Sequence, residues 1–249
     1  MMAERQLNAR VVPVADLSER EVGEMFSVHR RLYERVSERE FRRDLEEKDC
    51  VLLLRDDGGG EIRGFTTVLL LDVEVGGEPL RAVFSGDTGI DPSFWGGQAL
   101  VRAWAHLMGE LLGQHADRRL FWFLISKGYR TYLYLPLFFH AFYPRAGTLT
   151  PPFEQALLLA LGRRKYPHDF NPETGVVEFA RSHGHLTAEL AEVSAHRRRH
   201  PHVRFFLERN PGYAQGHELV CAAELSAANM KGLARRMLLE GRHALAVGA

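Results

Sequence analysis

The sequence predicts a mixed α/β fold, and three observations support this prediction. Short apolar runs typical of strands alternate with segments whose apolar residues recur at helical spacing. Capping boxes that begin at Ser18 and Ser37 mark two helix starts early in the chain. A strand-like run then ends at Asp91-Pro92 and leads through Trp95-Gly96-Gly97 into the clearest amphipathic helix of the sequence.

The composition excludes several classes of protein. The 249 residues include 32 basic and 32 acidic side chains, so no overall charge attracts nucleic acid or an anionic membrane. The apolar stretches are too short to span a bilayer as helices, and the first residues lack the apolar core of a signal peptide. Cys50 and Cys221 lie in strand-like apolar runs, which predicts buried free thiols and a cytoplasmic protein.

The first half of the chain is predicted to hold five strands and four helices. The strands are expected at residues 10–14, 50–54, 62–75, 80–90 and 120–125. The helices are expected after Ser18, with His29 in its apolar stripe, after Ser37, from Gly97, and in the aromatic segment after the fifth strand. Glycine-containing turns at residues 56–60 and 76–77 join the three middle strands, which are therefore expected to form an antiparallel meander.

The second half of the chain gives weaker patterns. The expected elements are a helix at residues 153–161 closed by Gly162, a strand at 176–180, a helix at 186–198, paired strands at 203–207 and 218–223, and a last helix from Ser226 to Gly241. No internal repeat and no long linker requires a second independent domain.

The order of these elements resembles that of the GNAT superfamily of N-acyltransferases. The resemblance implies a mixed, mostly antiparallel sheet flanked by helices. In this sheet the strands at residues 80–90 and 120–125 are expected to be neighbours that diverge at their C-terminal ends and form a central cleft. It implies that residues 1–147 are an acyl-thioester-binding core and that residues 148–249 are an α+β extension packed on it. It also implies transfer of an acyl group from acetyl-CoA, a longer acyl-CoA or an acyl carrier protein to a small-molecule amine.

The loop before the long helix is the candidate phosphate site. Glycines at a helix entry leave backbone N–H groups without partners, and such groups suit phosphate. In the superfamily a Gln/Arg-x-x-Gly-x-Gly/Ala loop holds the pantetheine pyrophosphate, and the resemblance gives this role to Trp95, Gly96, Gly97 and Gln98. Trp95 stands where the superfamily has a basic residue, so a tight turn without a ligand is the alternative.

The segment after the fifth strand offers a general acid. Many GNAT enzymes have a tyrosine in the helix at this place, shortly before a glycine, that protonates the departing thiolate. Tyr143, followed by Gly147, matches this pattern. A phenol suits the role because its ordinary pKa lies near that of the thiol. The alternative is a core tyrosine that is bonded to a backbone carbonyl.

A general base is also needed, because an ammonium group must lose a proton before its nitrogen can attack. Asp87 is the preferred carboxylate, since its strand faces the expected cleft, and period-two alternation gives Ser85 the same facing. His140 is the alternative base, or else a partly buried core histidine. Ser126 is predicted to be a polar contact in the pocket, or else part of a solvated loop.

Two histidines raise the question of a metal. His196 and His200 have the spacing that shares one helix face, but they bracket three arginines at a predicted helix end, where cations are favourable. We therefore expect no metal. The arginines are expected to be solvated surface, or else a contact for an acidic carrier protein.

Aromatic residues are dense between positions 121 and 143. This density favours core packing against the extension, or a groove for a large apolar acyl or aromatic substrate. Two other functions stay open, because a fold does not settle an activity. One is a ligand-binding or scaffolding domain without catalysis. The other is an enzyme of different chemistry that uses the same cleft for an aromatic or lipid-like ligand.

Overall fold

The computed structural model describes residues 7–57, 60–180 and 183–247. Its strands are β1 (Leu7–Pro13), β2 (Tyr33–Glu34), β3 (Cys50–Asp56), β4 (Ile62–Val75), β5 (Glu78–Ile90), β6 (Leu120–Ser126), β7 (Phe170–Asn171), β8 (Val176–Val177), β9 (His185–Leu186) and β10 (Glu218–Glu224). Its α-helices are α1 (Glu19–Leu32), α2 (Glu38–Glu46), α3 (Ala99–Gln114), α4 (Tyr129–Tyr132), α5 (Tyr134–Phe138), α6 (Pro152–Lys165), α7 (Ala188–Ala191), α8 (Ala195–Arg198), α9 (Pro201–Arg209) and α10 (Gly232–Val247).

Eight of the described strands form one sheet in the order β1-β3-β4-β5-β6-β10-β8-β7. Within this sheet β5 and β6 are parallel, and the other neighbouring pairs are antiparallel. The predicted mixed, mostly antiparallel sheet is confirmed. The region after residue 147 adds β10, β8 and β7 to the same sheet, so the extension continues the sheet of the core. β2 and β9 form a separate pair.

The first half of the chain agrees closely with its sequence patterns. Ser18 caps α1 in a reciprocal capping box with Glu21, and the Ser37 hydroxyl accepts a hydrogen bond from the Glu40 N–H at the start of α2. The predicted turn at residues 56–60 includes positions 58 and 59, which lie outside the described residues, as do positions 1–6.

The strand predicted at residues 203–207 is wrong, because these residues belong to α9. Pro201 lies in the first turn of this helix, where its missing N–H leaves no hydrogen bond unmade. Val203 and Phe206, three residues apart, are buried on one helical face. The predicted partner strand does form, as β10, but it pairs with β6.

The continuous helix predicted at residues 186–198 is also wrong. α7 and α8 are separate, and the break between them contains the buried Val193. The Ser194 hydroxyl accepts a hydrogen bond from the Arg197 N–H and so caps α8. Elsewhere in this half, α10 begins at Gly232 instead of Ser226, α6 continues past its predicted end, and β8 is shorter than predicted.

Helices cover both faces of the main sheet. On one face, α3 and α10 share a core that includes Trp104, Trp122 and Cys221. On the other face, α1 and α2 cover β3 and the first part of β4, and α6 packs across the second part of β4, the first part of β5, β6 and β10. The candidate site lies between these two groups of helices, over the middle of β5.

α3 and α10 contact each other through two glycines. A Cβ atom on Gly109 would overlap the Leu238 carbonyl oxygen of α10, and a Cβ atom on Gly241 would overlap the His106 carbonyl oxygen of α3. Neither position has room for a methyl group, so the two glycines permit the close approach of the helices.

Gly109→Ala should lower the free energy of unfolding by about 1–3 kcal/mol, because the added methyl group must push the helices apart. Gly23→Ala in α1 is the matched control, since a Cβ atom there meets no atom within 4 Å. This control should raise stability by about 1 kcal/mol through its higher helix propensity. Chemical denaturation measures both effects. A Gly109→Ala variant as stable as the wild type would show that the helix contact is loose.

Candidate functional site

β5 and β6 pair along five positions and then part. Residues 81–85 of β5 pair with residues 120–124 of β6. β5 then continues along β4 to Ile90, whereas β6 ends at Ser126. A cavity of about 310 Å³ lies where the two strands separate. The two strands are thus neighbours that diverge at their C-terminal ends, as the sequence predicted.

The side of the cavity next to α3 is aromatic. The Ser85 hydroxyl accepts hydrogen bonds from two indoles, at 3.3 Å from Trp104 Nε1 and at 2.9 Å from Trp122 Nε1. The rings of Tyr134 and Phe138 stack with their centroids 5.4 Å apart. The remaining residues on this side are apolar, namely Leu100, Val101 and Leu124. An apolar, elongated group therefore fits this side of the cavity better than a charged one.

A β-bulge separates Ser85 from Asp87. Residues 66–68 of β4 lie opposite residues 85–88 of β5, so β5 carries one residue more than its partner. Thr88, whose hydroxyl lies 2.6 Å from that of Thr66, shares the face of Ser85. The prediction that Asp87 and Ser85 face the same way is therefore wrong. The bulge turns Asp87 toward the opposite, charged side of the cavity.

Lysines on the charged side are neutralised by neighbouring carboxylates. The ion pairs are Lys127–Glu218 at 3.2 Å, Lys165–Glu47 at 2.6 Å and, behind the cavity wall, Lys48–Asp44 at 2.6 Å. Asp87 has no hydrogen-bond or ion-pair partner among the residues that the structure describes. Its negative charge is therefore free to meet a cation in the cavity.

Burial shifts the protonation equilibria around Asp87. Burial lowers the pKa of His29, against the opposing effect of the Asp87 charge. Burial and the Asp87 charge together raise the pKa of Tyr33. Burial also raises the pKa of Glu218, an effect that Lys127 opposes. At neutral pH the His29 imidazole is thus neutral and the Tyr33 phenol is protonated, and their rings stack 4.5 Å apart.

The structure places Asp87 in the cavity but leaves Tyr143 and His140 outside it. The Tyr143 backbone bonds to that of Ala222 in β10, and its side chain lines a groove on the other side of β6. The His140 side chain is exposed, and the backbone N–H of His140 donates a hydrogen bond to the backbone carbonyl of Asn229. Neither predicted residue can reach a group that is bound beside Asp87.

The helix predicted through Tyr143 is wrong as well. α5 ends at Phe138, and Phe139 is already extended. Tyr143 precedes Pro144, and a residue before proline is disfavoured in a helix. Tyr132 donates from its hydroxyl to the Pro144 carbonyl at 2.8 Å, which holds the segment in its irregular path. The phenol that does line the cavity from this part of the chain is that of Tyr134.

Ser126 does not contact the cavity. It is fully buried at the end of β6, where its hydroxyl lies beside the Cys221 thiol of β10. Burial raises the pKa of that thiol. The neighbours of Ser126 on either side, Ile125 and Lys127, do line the cavity.

The loop of residues 95–98 lies at the N-terminus of α3, whose first turn lines the cavity through Leu100 and Val101. The four loop residues are exposed, and Gly96 has a φ of 87°, which favours glycine. The Trp95 indole donates to the Ile90 carbonyl at 2.9 Å. The loop therefore leaves the first N–H groups of α3 open to solvent near the cavity mouth.

Two arginines stand beside this loop. The Arg130 guanidinium lies 5.9 Å from the centre of the Trp95 ring, and Arg102 donates to the Gln98 side chain at 3.1 Å. They place positive charge beside the exposed loop at the start of α3. Neither arginine was among the predicted contacts, because each is brought to the loop by a helix.

Sequence reasoning missed several side chains of the cavity. The spacing of His29 predicts a residue of the apolar stripe of α1, and Glu218 falls in a strand whose predicted partner is wrong. Lys127 follows Ser126 in a segment that fits a solvated loop as well as a pocket. A signal for Glu218 and Lys127 exists, since a lone acid and a lone lysine each border an apolar strand, but it needs the β6–β10 pairing to bring the two together.

The histidines considered for a metal do not share a helix face. His196 lies in α8, whereas His200 is the N-cap of α9. Among residues 7–57, 60–180 and 183–247, no group of three or more His, Cys, Asp or Glu side chains is arranged to hold a metal ion. Within the same ranges, no helix is both long enough and apolar enough to cross a membrane.

No protein-family model matches the sequence, and no curated protein matches it. Solved structures do match. A probable N-acyltransferase of Enterococcus faecalis is 15% identical with a TM-score of 0.41, over 58% of this chain and 38% of that one. A GNAT family N-acetyltransferase of Escherichia coli, solved with CoA, is 19% identical with a TM-score of 0.35, over 51% and 66% of the two chains. An acetyltransferase of Trypanosoma brucei is 18% identical with a TM-score of 0.40, over 59% and 100%.

All three matches have TM-scores below 0.5 and sequence identities below 20%. The order of elements in residues 7–126 and the parting of β5 from β6 are features of this chain's own structure, and they agree with the GNAT fold that the resemblance implied. The chain spans 38% of the length of the Enterococcus faecalis protein. The activity of this chain is therefore argued from its own cavity.

His29 should make the stability of the protein depend on pH. Its pKa is lowered in the folded state, mainly by burial. Its contribution to stability is therefore complete above the ordinary histidine pKa of about 6.5 and is lost as the pH falls below that value. The free energy of unfolding of wild type should fall more steeply from pH 7.5 to pH 5 than that of His29→Phe. Equal slopes in urea titrations would show that His29 does not resist protonation.

Proposed function

We propose that this protein is an N-acyltransferase that moves an acyl group from a CoA or carrier-protein thioester to an amine. The observation that supports this best is the cavity at the parting of β5 and β6, with an aromatic wall on one side and the unpaired Asp87 on the other. An elongated thioester fits along the aromatic wall with its carbonyl group at the gap. A protonated amine is attracted to the charged side.

In the proposed reaction Asp87 accepts a proton from the ammonium group of the acceptor. The amine nitrogen then attacks the thioester carbonyl carbon, so that a C–N bond forms and the C–S bond breaks. Tyr134 gives its phenolic proton to the departing sulfur, and the attacking nitrogen loses its second proton to solvent as the amide forms. Tyr134 then takes a proton back from solvent. The products are an amide, a free thiol and the proton that Asp87 releases.

Tyr134 takes the role that was predicted for Tyr143. It belongs to the segment that follows β6, where the resemblance implied an acid, and its ring lines the aromatic side of the cavity. Burial raises the pKa of Tyr134. The phenol therefore stays protonated at neutral pH and is available as a donor when negative charge develops on sulfur.

We propose that the donor phosphates bind at residues 95–98. The open N–H groups at the start of α3 and the guanidinium groups of Arg102 and Arg130 support this assignment. The exposed arginines at 197–199 suit an acidic carrier protein as an alternative donor. The two free cysteines, Cys50 and Cys221, are in keeping with a cytoplasmic setting.

Tyr134→Phe should lower turnover by about tenfold or more and leave thioester affinity nearly unchanged, because proton donation to sulfur matters only in the transition state. Tyr143→Phe removes the same hydroxyl from a residue outside the cavity and should leave turnover unchanged. Release of free thiol with a panel of amines measures both. A thioester that binds but gives no product with any amine would favour the non-catalytic alternative, and equal effects of the two variants would remove Tyr134 from the mechanism.

Gly97→Asp should weaken CoA binding about tenfold or more, since a carboxylate at the helix N-terminus repels phosphate. Gly97→Asn is the matched control, because it has the same shape without the charge. Gly97 is exposed, and a Cβ atom there meets only the Phe94 carbonyl oxygen, at 3.4 Å, so both variants should fold. Calorimetry with CoA compares them. Equal affinities for Asp and Asn variants would mean that the loop is a turn without a ligand.

A further inference from the structure

The charged side of the cavity has an excess of negative charge. Its lining carboxylates are those of Glu40, Asp44, Glu47, Asp87, Asp169 and Glu218, and its lining cations are those of Arg43, Lys127 and Lys165. Lys48 adds a fourth positive charge from behind the wall, through its ion pair with Asp44. Six negative and four positive side chains leave a net charge of −2 at this end of the cavity.

The excess is carried by carboxylates without a basic partner. Among the described residues, no lysine, arginine or histidine lies within ion-pair distance of Asp87, Asp169 or Glu40. Asp169 accepts a hydrogen bond from the Ala180 N–H at 3.2 Å, and Glu40 accepts one from the Ser37 hydroxyl at 2.8 Å. These neutral donors satisfy some lone pairs and leave the negative charges uncompensated.

Buried polar groups of the cavity also lack partners. His29 is only 6% exposed and lines the cavity, and its Nδ1 atom forms no hydrogen bond. The hydroxyl groups of the half-buried Tyr33 and Tyr166, which also line the cavity, have no hydrogen-bond partner within the described ranges either. Buried nitrogen and oxygen atoms normally have one, and leaving them unpaired is unfavourable. A ligand with N–H donors would satisfy them.

We propose that the acceptor is an alkyl diamine or polyamine, a molecule that carries at least two positive charges on an aliphatic stem. One nitrogen reaches Asp87 and is acylated, and a second is held by the remaining unpaired carboxylates, Asp169 and Glu40. This inference rests on the proposed acyl transfer and names the acceptor of that same site.

The charge distribution discriminates between classes of amine. A monoamine would neutralise only part of the excess, and the rest would stay uncompensated in a partly enclosed space, where charge interactions are stronger than in bulk water. An α-amino acid would bring its own carboxylate next to Asp87, while Lys127 and Lys165 are already engaged by Glu218 and Glu47. A diamine neutralises more of the excess charge than a monoamine and, unlike an amino acid, brings no carboxylate next to Asp87.

The test compares two amines of equal length on the full chain without a thioester. Calorimetry at low ionic strength should give 1,5-diaminopentane an affinity at least about tenfold above that of n-pentylamine, and the ratio should shrink as salt is added. Asp169→Asn and Glu40→Gln should each weaken diamine binding by about threefold or more and leave pentylamine binding nearly unchanged. Glu208→Gln removes an exposed carboxylate outside the cavity lining and should change neither.

Equal affinities for the two amines would overturn this inference. So would a Glu208→Gln variant that weakens diamine binding as much as Asp169→Asn and Glu40→Gln do, because the attraction would then be a general surface effect. The acyl-transfer assay separates the two proposals. Selective diamine binding without any acylated product would support the preference for diamines and contradict the proposed acyl transfer. Equal acylation of both amines would support the acyl transfer and contradict the preference for diamines.

Discussion

The site depends on one constraint, which is that β5 and β6 pair along five positions and separate beyond them. They form the parallel pair of the sheet, so the chain must cross over between them, and α3 is that crossover. At the last paired position the Ser85 hydroxyl binds Trp104 and Trp122, one from α3 and one from β6. Directly after it, the bulge in β5 turns the strand's side chains away. Strand separation, aromatic wall and charged wall therefore all begin at the same point of the sheet.

The extension builds one wall of the cavity and balances its charge. Glu218 comes from β10 and neutralises Lys127, which follows β6. Lys165 comes from the end of α6 and neutralises Glu47, which follows α2. Each pair joins a residue before position 147 to one after it. The charge that is left for a substrate is thus decided jointly by both parts of the chain, and Asp87 stays unpaired because the nearby lysines are already engaged.

Local patterns predicted the first half of the fold well, because capping boxes, hairpin turns and helical spacing depend on neighbouring residues. The second half was predicted less well. Residues 203–207 of α9 read VRFFL, and a short, mostly apolar run of this kind fits a strand as well as a buried helix. The break before α8 depends on the burial of Val193, which no local pattern shows. In the candidate site, the strand pattern predicted that Asp87 lines the cavity, but it did not predict the direction in which the side chain points. That direction depends on the bulge, which arises only when two strands pair. Tyr134, Lys127 and Glu218 could not be chosen before the β6–β10 pairing was known.

That pairing has a consequence for the boundary at residue 147. β6 has the sequence LFWFLIS, without a charged residue or a proline, and β10 covers its outer edge. A chain cut after the aromatic segment would expose this strand as a bare edge, with its backbone N–H and C=O groups free to pair with those of another copy. Such a fragment would tend to self-associate through β6 instead of behaving as a smaller core. The folding unit therefore extends beyond residue 147 and includes β10.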